Sequence, residues 1–140
     1  MPETVLVTGG SGYIAGWCIA ELLQSLRPDV VHLHSIQGLS ASLADACLAA
    51  GVPYVITLHD SWWICERQFM VRKDGAYCFQ ERIDWSVCAT CVKDLGLSIR
   101  RYERLREVLQ GAALLLAPSD FHRRLHVANG ADPAAIQVNK

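Results

Sequence analysis

The chain lacks a strong excess of charge of either sign. Its 140 residues include 13 Lys and Arg and 14 Asp and Glu, which gives a net charge of -1 when the histidines are neutral. A composition of this kind offers no broad electrostatic attraction to nucleic acid or to an anionic membrane surface. We therefore expect no nucleic-acid partner.

The sequence also has no long apolar run, and we expect no secretory leader. The longest strongly apolar run, near residues 112–117, is far too short to span a bilayer, so no transmembrane segment is expected. The N-terminus passes from Met1 directly into a strand pattern, without the basic region and cleavable apolar segment of a secretory leader. The sequence thus predicts a cytoplasmic protein, in a compartment where thiols stay reduced.

What the chain does have is enough apolar material for one core. Hydrophobic residues make up 51% of the sequence, and the length predicts a single domain over residues 1–140. Apolar runs predict strands at residues 4–8, 30–34, 54–58, 112–117 and 136–138. Helical spacing predicts helices over residues 13–24, 40–50, 95–110 and 119–129, with Ser40 and Ser119 as N-caps and Gly51 and Gly130 just past two of the ends.

Alternating strands and helices predict an α/β fold, a Rossmann-like three-layer domain whose parallel sheet is covered on both faces. Residues 61–92, after the third strand, have no clear period and are predicted to form an irregular, cysteine-rich insertion, called the excursion below. An exposed edge of the sheet would favour a homodimer. The apolar surface of the first helix is assigned to Ile14, Trp17, Cys18, Ala20 and Leu22, and Cys18 and Cys47 are expected in the core.

The first motif is a glycine-rich turn. Residues 4–17 read TVLVTGGSGYIAGW, which fits a strand, a tight turn and a helix start. Glycines let the backbone approach a pyrophosphate, and the amides of the helix N-terminus then hold the anion. The alternative is a structural turn that binds nothing.

This opening resembles the extended short-chain dehydrogenase/reductases, which bind NAD(P). The resemblance covers residues 4–24 and implies Gly9, Gly12 and Ala15 as the pyrophosphate-side, cofactor-binding positions. The second strand, however, ends in His34 and Ser35 instead of the acid or arginine that reads the adenosine ribose. No tyrosine has a lysine four residues later, so the family's catalytic Tyr-x-x-x-Lys is absent and dehydrogenase chemistry is not expected.

Polar residues follow two of the predicted strands. Residues 30–34 end in His34, and residues 54–58 are followed by His59 and Asp60. Ligands of open parallel sheets bind beyond the carboxyl ends of the strands, which makes these side chains candidates for a binding site. The alternative for each histidine is a hydrogen bond to a loop carbonyl.

Three segments together resemble the N-terminal domain of glycosyltransferase family 4: RPDVVHLHS from Arg27, GVPYVITLHDSWWIC from Gly51 and LLLAPSDF from Leu114. The resemblance covers residues 26–138 and implies the GT-B architecture, in which two Rossmann-like domains face a cleft. It implies transfer of a sugar from a nucleotide-sugar to a glycan or lipid-linked acceptor, with this domain on the acceptor side. His34, His59, Asp60 and Ser119 would then bind substrate, and His59 would lie nearest the reacting centre.

The two resemblances predict a chimeric or truncated chain with a join near Gln24. The dehydrogenase-like opening stands in place of the transferase family's own first elements, and the sequence stops where that family crosses to its donor-binding domain. On this interpretation the isolated chain is not catalytic. An NAD(P)-binding domain and an inactive chimeric scaffold are the alternatives.

Four of the six cysteines cluster in the excursion: Cys65, Cys78, Cys88 and Cys91. Cys88 and Cys91 form a C-x-x-C pair, the usual half of a zinc knuckle, and four thiolates can surround zinc tetrahedrally. A structural zinc would also fix a loop that has little core of its own. Reduced cysteines without a metal and disulfides are the alternatives.

Aromatic and basic residues border the excursion. Trp62, Trp63 and Trp85 either stack on a sugar or pack the loop onto the body. The four arginines of the helix over residues 95–110 form a basic face that is either solvated or directed at an anionic lipid, which would place the protein peripherally on the inner membrane face: Arg100, Arg101, Arg104 and Arg106.

Overall fold

The computed structural model describes residues 13–139, with side chains from residue 17 onward. Five helices and four strands lie in this range: α1 Tyr13–Leu26, β1 Val31–Leu33, α2 Ser42–Ala49, β2 Tyr54–Thr57, α3 Trp85–Cys88, α4 Leu95–Gly111, β3 Leu114–Ala117, α5 Asp120–Ala128 and β4 Ile136–Val138. The predicted strand at residues 4–8 and the glycine turn lie outside the described residues. None of the described helices has the length and apolarity to cross a membrane.

The four strands form one parallel sheet in the order β1-β2-β3-β4, which confirms the predicted α/β, Rossmann-like fold. One row of side chains crosses all four strands through Leu33, Ile56, Leu115 and Ile136, which pair in register and are at most 5% exposed. Alternate residues on the strands are half-buried or exposed, because successive side chains point to opposite faces. The core therefore lies against one face of the sheet.

Helix α1 contributes Ile19 and Leu23 to this core. They are spaced i, i+4, so they share a face and pack toward the sheet. The prediction that Cys18 lies in the core is wrong: Cys18 and Trp17 are exposed. Apolar residues surround nearly the whole helix, so its periodicity does not select the buried face. Cys47 on α2 is fully buried, as expected.

Two of the predicted helix ends agree with the backbone, and one helix start does not. Gly51 and Gly130 have φ of 68° and 101°, a left-handed conformation that favours glycine after a helix. Helix α2 begins two residues later than predicted, because Ser40 has φ of 111° and lies outside the helix. Its hydroxyl still accepts a hydrogen bond from the N–H of Ser42 at 3.2 Å.

The excursion has almost no regular structure, and one buried side chain attaches it to the body. Asn129 follows α5 and is 5% exposed. Its Oδ1 accepts a hydrogen bond from the N–H of Ile83 at 2.9 Å, and its Nδ2 donates to the carbonyls of Glu81 and Leu125. This amide uses both its acceptor and its donors, so it joins the later part of the excursion to the end of α5.

A small second core lies beneath the excursion. Ile64, Met70 and Leu125 form it, and all three are at most 4% exposed. Half-buried Cys65, Cys78 and other apolar side chains pack around them. The loop is therefore seated on α5 by packing as well as by hydrogen bonds, although this core is far smaller than the one beneath the sheet.

Candidate functional site

The histidines that follow β1 and β2 meet at the carboxyl edge of the sheet. Nδ1 of His34 lies 3.1 Å from Nε2 of His59, and the two rings stack with centroids 5.4 Å apart. Both side chains are exposed, so a ligand can reach them. The pair forms because β1 and β2 are parallel neighbours, which brings the residues after their carboxyl ends to one place.

His32 is a third member of this cluster that the sequence interpretation missed. Its Nε2 lies 2.8 Å from the hydroxyl of Thr57, and its ring centroid is 4.3 Å from that of His34. Burial lowers the pKa of His32, and the charges of His34 and His59 lower it further. The sequence could have indicated His32, because residues two apart on a strand share a face and His32 precedes His34 by two.

Asp60 follows His59 and uses its carboxylate within the fold. Oδ1 accepts a hydrogen bond from the N–H of Trp62 at 2.7 Å, and Oδ2 accepts one from Nε2 of Gln68 at 2.7 Å. The carboxylate thus fixes the start of the excursion. Its negative charge also acts on α5, since it raises the pKa values of His122 and His126 against the larger effect of burial.

Ser119 caps helix α5. Its hydroxyl accepts a hydrogen bond from the N–H of His122 at 3.3 Å, which satisfies a donor at the helix N-terminus. The same hydroxyl lies 3.2 Å from Nδ1 of His122. Burial lowers the pKa of His122. The structure therefore places His122, a histidine that sequence reasoning missed, beside Ser119 at the start of α5.

His126 lies one turn further along α5 and is 1% exposed. Its Nδ1 lies 2.9 Å from the carbonyl oxygen of His122, which fixes Nδ1–H as the donor and leaves Nε2 unprotonated. Nε2 is buried without a hydrogen-bond partner among the described residues. Burial lowers the pKa of His126 to about 4, so this ring stays neutral near pH 7.

Of the four predicted substrate-binding residues, the structure brings two into contact, since His34 and His59 are hydrogen-bonded to each other. Asp60 hydrogen-bonds to Trp62 and Gln68 in the excursion, and Ser119 caps α5. The predicted cofactor-binding positions Gly9 and Gly12 lie outside the described residues. Ala15 has its backbone in α1, and its side chain also lies outside the description.

The four cysteines of the excursion line one cavity of about 30 Å³. They are free thiols, so the disulfide alternative is absent from this structure. Burial raises the pKa of Cys65 and Cys88, and the charges of other cysteines in the cavity raise it further. Among residues 13–139, no three His, Cys, Asp or Glu side chains already stand at the spacing of a bound-metal group.

Aromatic and basic side chains pack around this loop. Trp63 is 3% exposed, and the half-buried ring of Trp85 meets Tyr102 edge-on at 5.2 Å, which favours packing over sugar stacking for both. Arg101 turns inward from the predicted basic face. Its guanidinium lies 4.4 Å from the ring centroid of Trp62 and donates a hydrogen bond to the carbonyl of Trp62 at 2.5 Å.

The remainder of the basic face is partly neutralised by acids. Arg104 forms ion pairs with Asp45 on α2 and with Glu107 one turn further along its own helix. Of these two, only the pair with Asp45 connects α4 to α2, and it is exposed to solvent. Both ion pairs favour the solvated interpretation of this face over a surface directed at lipid.

The sequence matches the family model described as Glycosyl transferase 4-like domain over residues 6–140. The match begins inside the glycine-rich opening and not at residue 26, so it gives no support to a dehydrogenase-like segment or to a join near Gln24. Comparisons with curated proteins and with solved structures found no match. Because the family model covers nearly the whole sequence and the parallel α/β fold agrees with it, the chain belongs to the glycosyl transferase 4-like domain family.

Proposed function

We propose that this chain is the acceptor-side domain of a family 4-like glycosyltransferase. The acceptor, a glycan or a lipid-linked sugar, binds at the carboxyl edge of the sheet. A nucleotide-sugar supplies the transferred group. The observation that carries the proposal is the exposed His34–His59 pair at the edge where parallel sheets bind ligands, in a chain of this family.

The histidine pair suits recognition of sugar hydroxyl groups. In a neutral pair, one ring donates the shared hydrogen bond and the other accepts it, which fixes the tautomer of each ring. His59 engages Nε2, so its Nδ1 is left to meet a ligand, and His34 likewise keeps Nε2. The ring that donates the shared hydrogen bond keeps a nitrogen that accepts from a hydroxyl group, and the ring that accepts it keeps an N–H that donates to one. We assign the acceptor contact nearest the reacting centre to His59.

Asp60 and Ser119 extend this surface toward α5. The carboxylate of Asp60 already holds the first turn of the excursion, so in this proposal it positions Trp62 and the loop that borders the acceptor. Ser119 and His122 supply a hydroxyl and an imidazole at the start of α5. A shallow site of hydroxyl, carboxylate and imidazole groups is chemically matched to a carbohydrate.

Binding to immobilised oligosaccharides and lipid-linked sugars tests the proposal. The labelled chain should bind a subset of them, and His59→Ala should weaken that binding about tenfold or more, because a hydrogen bond to sugar is lost. Gln24→Ala, an exposed position on α1, is the matched control and should bind as the wild-type chain does. Equal binding by wild type and His59→Ala would contradict the assigned site.

Calorimetry separates the proposal from dinucleotide binding. UDP-sugars and NADPH are titrated separately into the same protein. The proposal expects neither NADPH nor a UDP-sugar to bind to this chain alone, because it assigns the chain to the acceptor side of the transferase. Saturable NADPH binding together with no carbohydrate binding would replace the proposal with the dinucleotide-binding alternative.

A further inference from the structure

The cysteine cavity of the excursion has the composition of a metal site. Cys65, Cys78, Cys88 and Cys91 come from three separate parts of the loop, and their side chains line the same cavity. Its volume of about 30 Å³ suits one ion or one water molecule rather than an organic ligand. Four separate thiols collected around so small a space are unusual in a loop with little apolar core.

Donors already point at these sulfurs. Nε2 of Gln80 donates to Sγ of Cys78 at 2.9 Å and lies 3.9 Å from Sγ of Cys88. Backbone N–H groups of Arg67 and Met70 also donate hydrogen bonds to Cys65. A neutral thiol is a weak acceptor, whereas a metal-bound thiolate is commonly held by such outer donors.

The charge around the cavity complements a metal tetrathiolate. Three guanidinium groups and one carboxylate belong to its lining: Arg67, Arg72, Arg101 and Glu66. Arg72 is paired with Asp74 at 2.9 Å, so these groups leave a surplus of one positive charge. This surplus partly offsets the two negative charges that a divalent ion with four thiolates would carry. Nε of Arg72 is buried and has no hydrogen-bond partner in the described part of the chain.

The backbone near the cysteines is held in costly conformations. Gln68 and Met70, which follow Cys65, have φ of 59° and 57°, and Phe79, next to Cys78, has φ of 56°. Side chains other than glycine rarely adopt this region, and they stay there only when surrounding interactions fix them. Ligation of the neighbouring cysteines would supply that fixing interaction.

We propose that Cys65, Cys78, Cys88 and Cys91 bind one zinc ion in a tetrahedral site that stabilises the excursion. Four thiols lose four protons to the solvent as four Zn–S bonds form, and no oxidation or reduction takes place. The four sulfurs do not stand at ligand spacing in this structure, so binding requires the loop to draw them together to the usual Zn–S distance of about 2.3 Å. Zinc is the divalent ion that four thiolates select without redox chemistry.

Metal analysis of the full chain, purified under reducing conditions from zinc-supplemented medium, tests the proposal. We expect about one zinc per chain, and replacement by cobalt should give the visible absorption bands of a tetrahedral thiolate complex. Less than about half an equivalent of zinc would overturn the proposal. Iron with sulfide-to-iron absorption, or two disulfides in the native protein, would overturn it as well.

Variants locate the site within the chain. Cys91→Ser should lose the zinc, whereas Cys18→Ser, the control at an exposed cysteine on α1, should keep it. Gln80→Ala leaves the four ligands intact and should weaken zinc affinity about tenfold, because it removes an outer hydrogen bond to sulfur. Zinc binding that is unchanged in Cys91→Ser would overturn the assignment of the ligands, and the Gln80 variant tests the same site if Cys91→Ser fails to fold.

Discussion

Nδ1 of His34 and Nε2 of His59 lie 3.1 Å apart, although 25 residues separate them in the sequence. This contact requires one ring to donate and the other to accept, so it is lost when both rings are protonated. His32 lies against the same pair. Burial lowers the pKa of His32, and the charges of these two neighbours lower it further.

The first prediction concerns the pKa of His32. Replacement of His34 by glutamine should raise this pKa toward the ordinary value of 6.5, because one of the two neighbouring charges that lower it is removed. The pKa should stay below 6.5, since burial, the largest cause, remains. Titration of the ring protons by NMR measures it. His122→Gln is the control and should leave the pKa of His32 in place; a fall of that pKa in His34→Gln would contradict the geometry.

The second prediction concerns the contact between α4 and β2. A Cβ added at Gly111 would lie 2.5 Å from the hydroxyl oxygen of Tyr54, which is fully buried and donates to the carbonyl of Val108. Gly111→Ala should therefore lower the free energy of unfolding by about 1–3 kcal/mol. Chemical denaturation measures this change.

Making Gly111→Ala in a Tyr54→Phe protein tests whether the Tyr54 hydroxyl causes the loss of stability. In Tyr54→Phe the close oxygen is gone, so Gly111→Ala should be neutral or should stabilise by up to about 1 kcal/mol through helix propensity. Gly96→Ala in the same helix is the control, because its added Cβ comes no closer than 3.4 Å to any neighbour. Equal costs in both Tyr54 and Phe backgrounds would show that the hydroxyl is not responsible.

The third prediction concerns stability in acid. The pKa of His126 is lowered to about 4 by burial, whereas an unfolded histidine has a pKa near 6.5. The unfolded state therefore binds more protons than the folded state between these values, and stability falls as pH falls through this window. Between pH 7 and pH 5, His126 should account for a loss on the order of 2 kcal/mol.

The variant His126→Asn isolates this contribution. Asparagine removes the titrating ring and keeps a donor near the position of Nδ1, which meets the carbonyl of His122. Its free energy of unfolding should fall less between pH 7 and pH 5 than that of the wild type. An identical fall in both proteins would mean that His126 is not the group responsible.

The fourth prediction tests whether Ser119 stabilises α5 as its N-cap. Ser119→Ala removes the acceptor for the N–H of His122 and should cost about 1 kcal/mol of stability. Ser119→Asp provides a new cap with a negative charge at the helix N-terminus, and should recover most of that loss. Thermal unfolding of the three proteins checks this order, and an aspartate variant as unstable as the alanine variant would contradict a capping role.

Apolar runs and helical period located all four strands and four of the five helices of the described chain, with ends that moved by at most two residues; the short helix α3 was missed. The approach of His34 and His59 also follows from sequence, since both lie just past the ends of neighbouring parallel strands. The position of His34 and His59 at one edge of the sheet can be predicted without knowing how the loops fold. The face buried by α1 was missed, because apolar residues surround that helix and packing alone selects Ile19 and Leu23.

The contacts of the excursion could not be predicted from a period, because the segment has none. The inward turn of Arg101 depends on the position of Trp62, and the place of His122 depends on how α5 lies against Asp60. These are contacts between distant parts of the chain. They are decided by tertiary packing, which local sequence patterns do not record.

The hydrogen bonds of Asn129 affect how the excursion detaches from the rest of the fold. One amide joins the end of α5 to Ile83 and Glu81, some 46 to 48 residues earlier in the chain. Loss of this junction would remove two hydrogen bonds between the excursion and the end of α5, while the packing of Ile64 and Met70 on Leu125 would remain. Damage at this carboxamide, by deamidation for example, would therefore loosen the excursion near Ile83 and leave its start attached to the body.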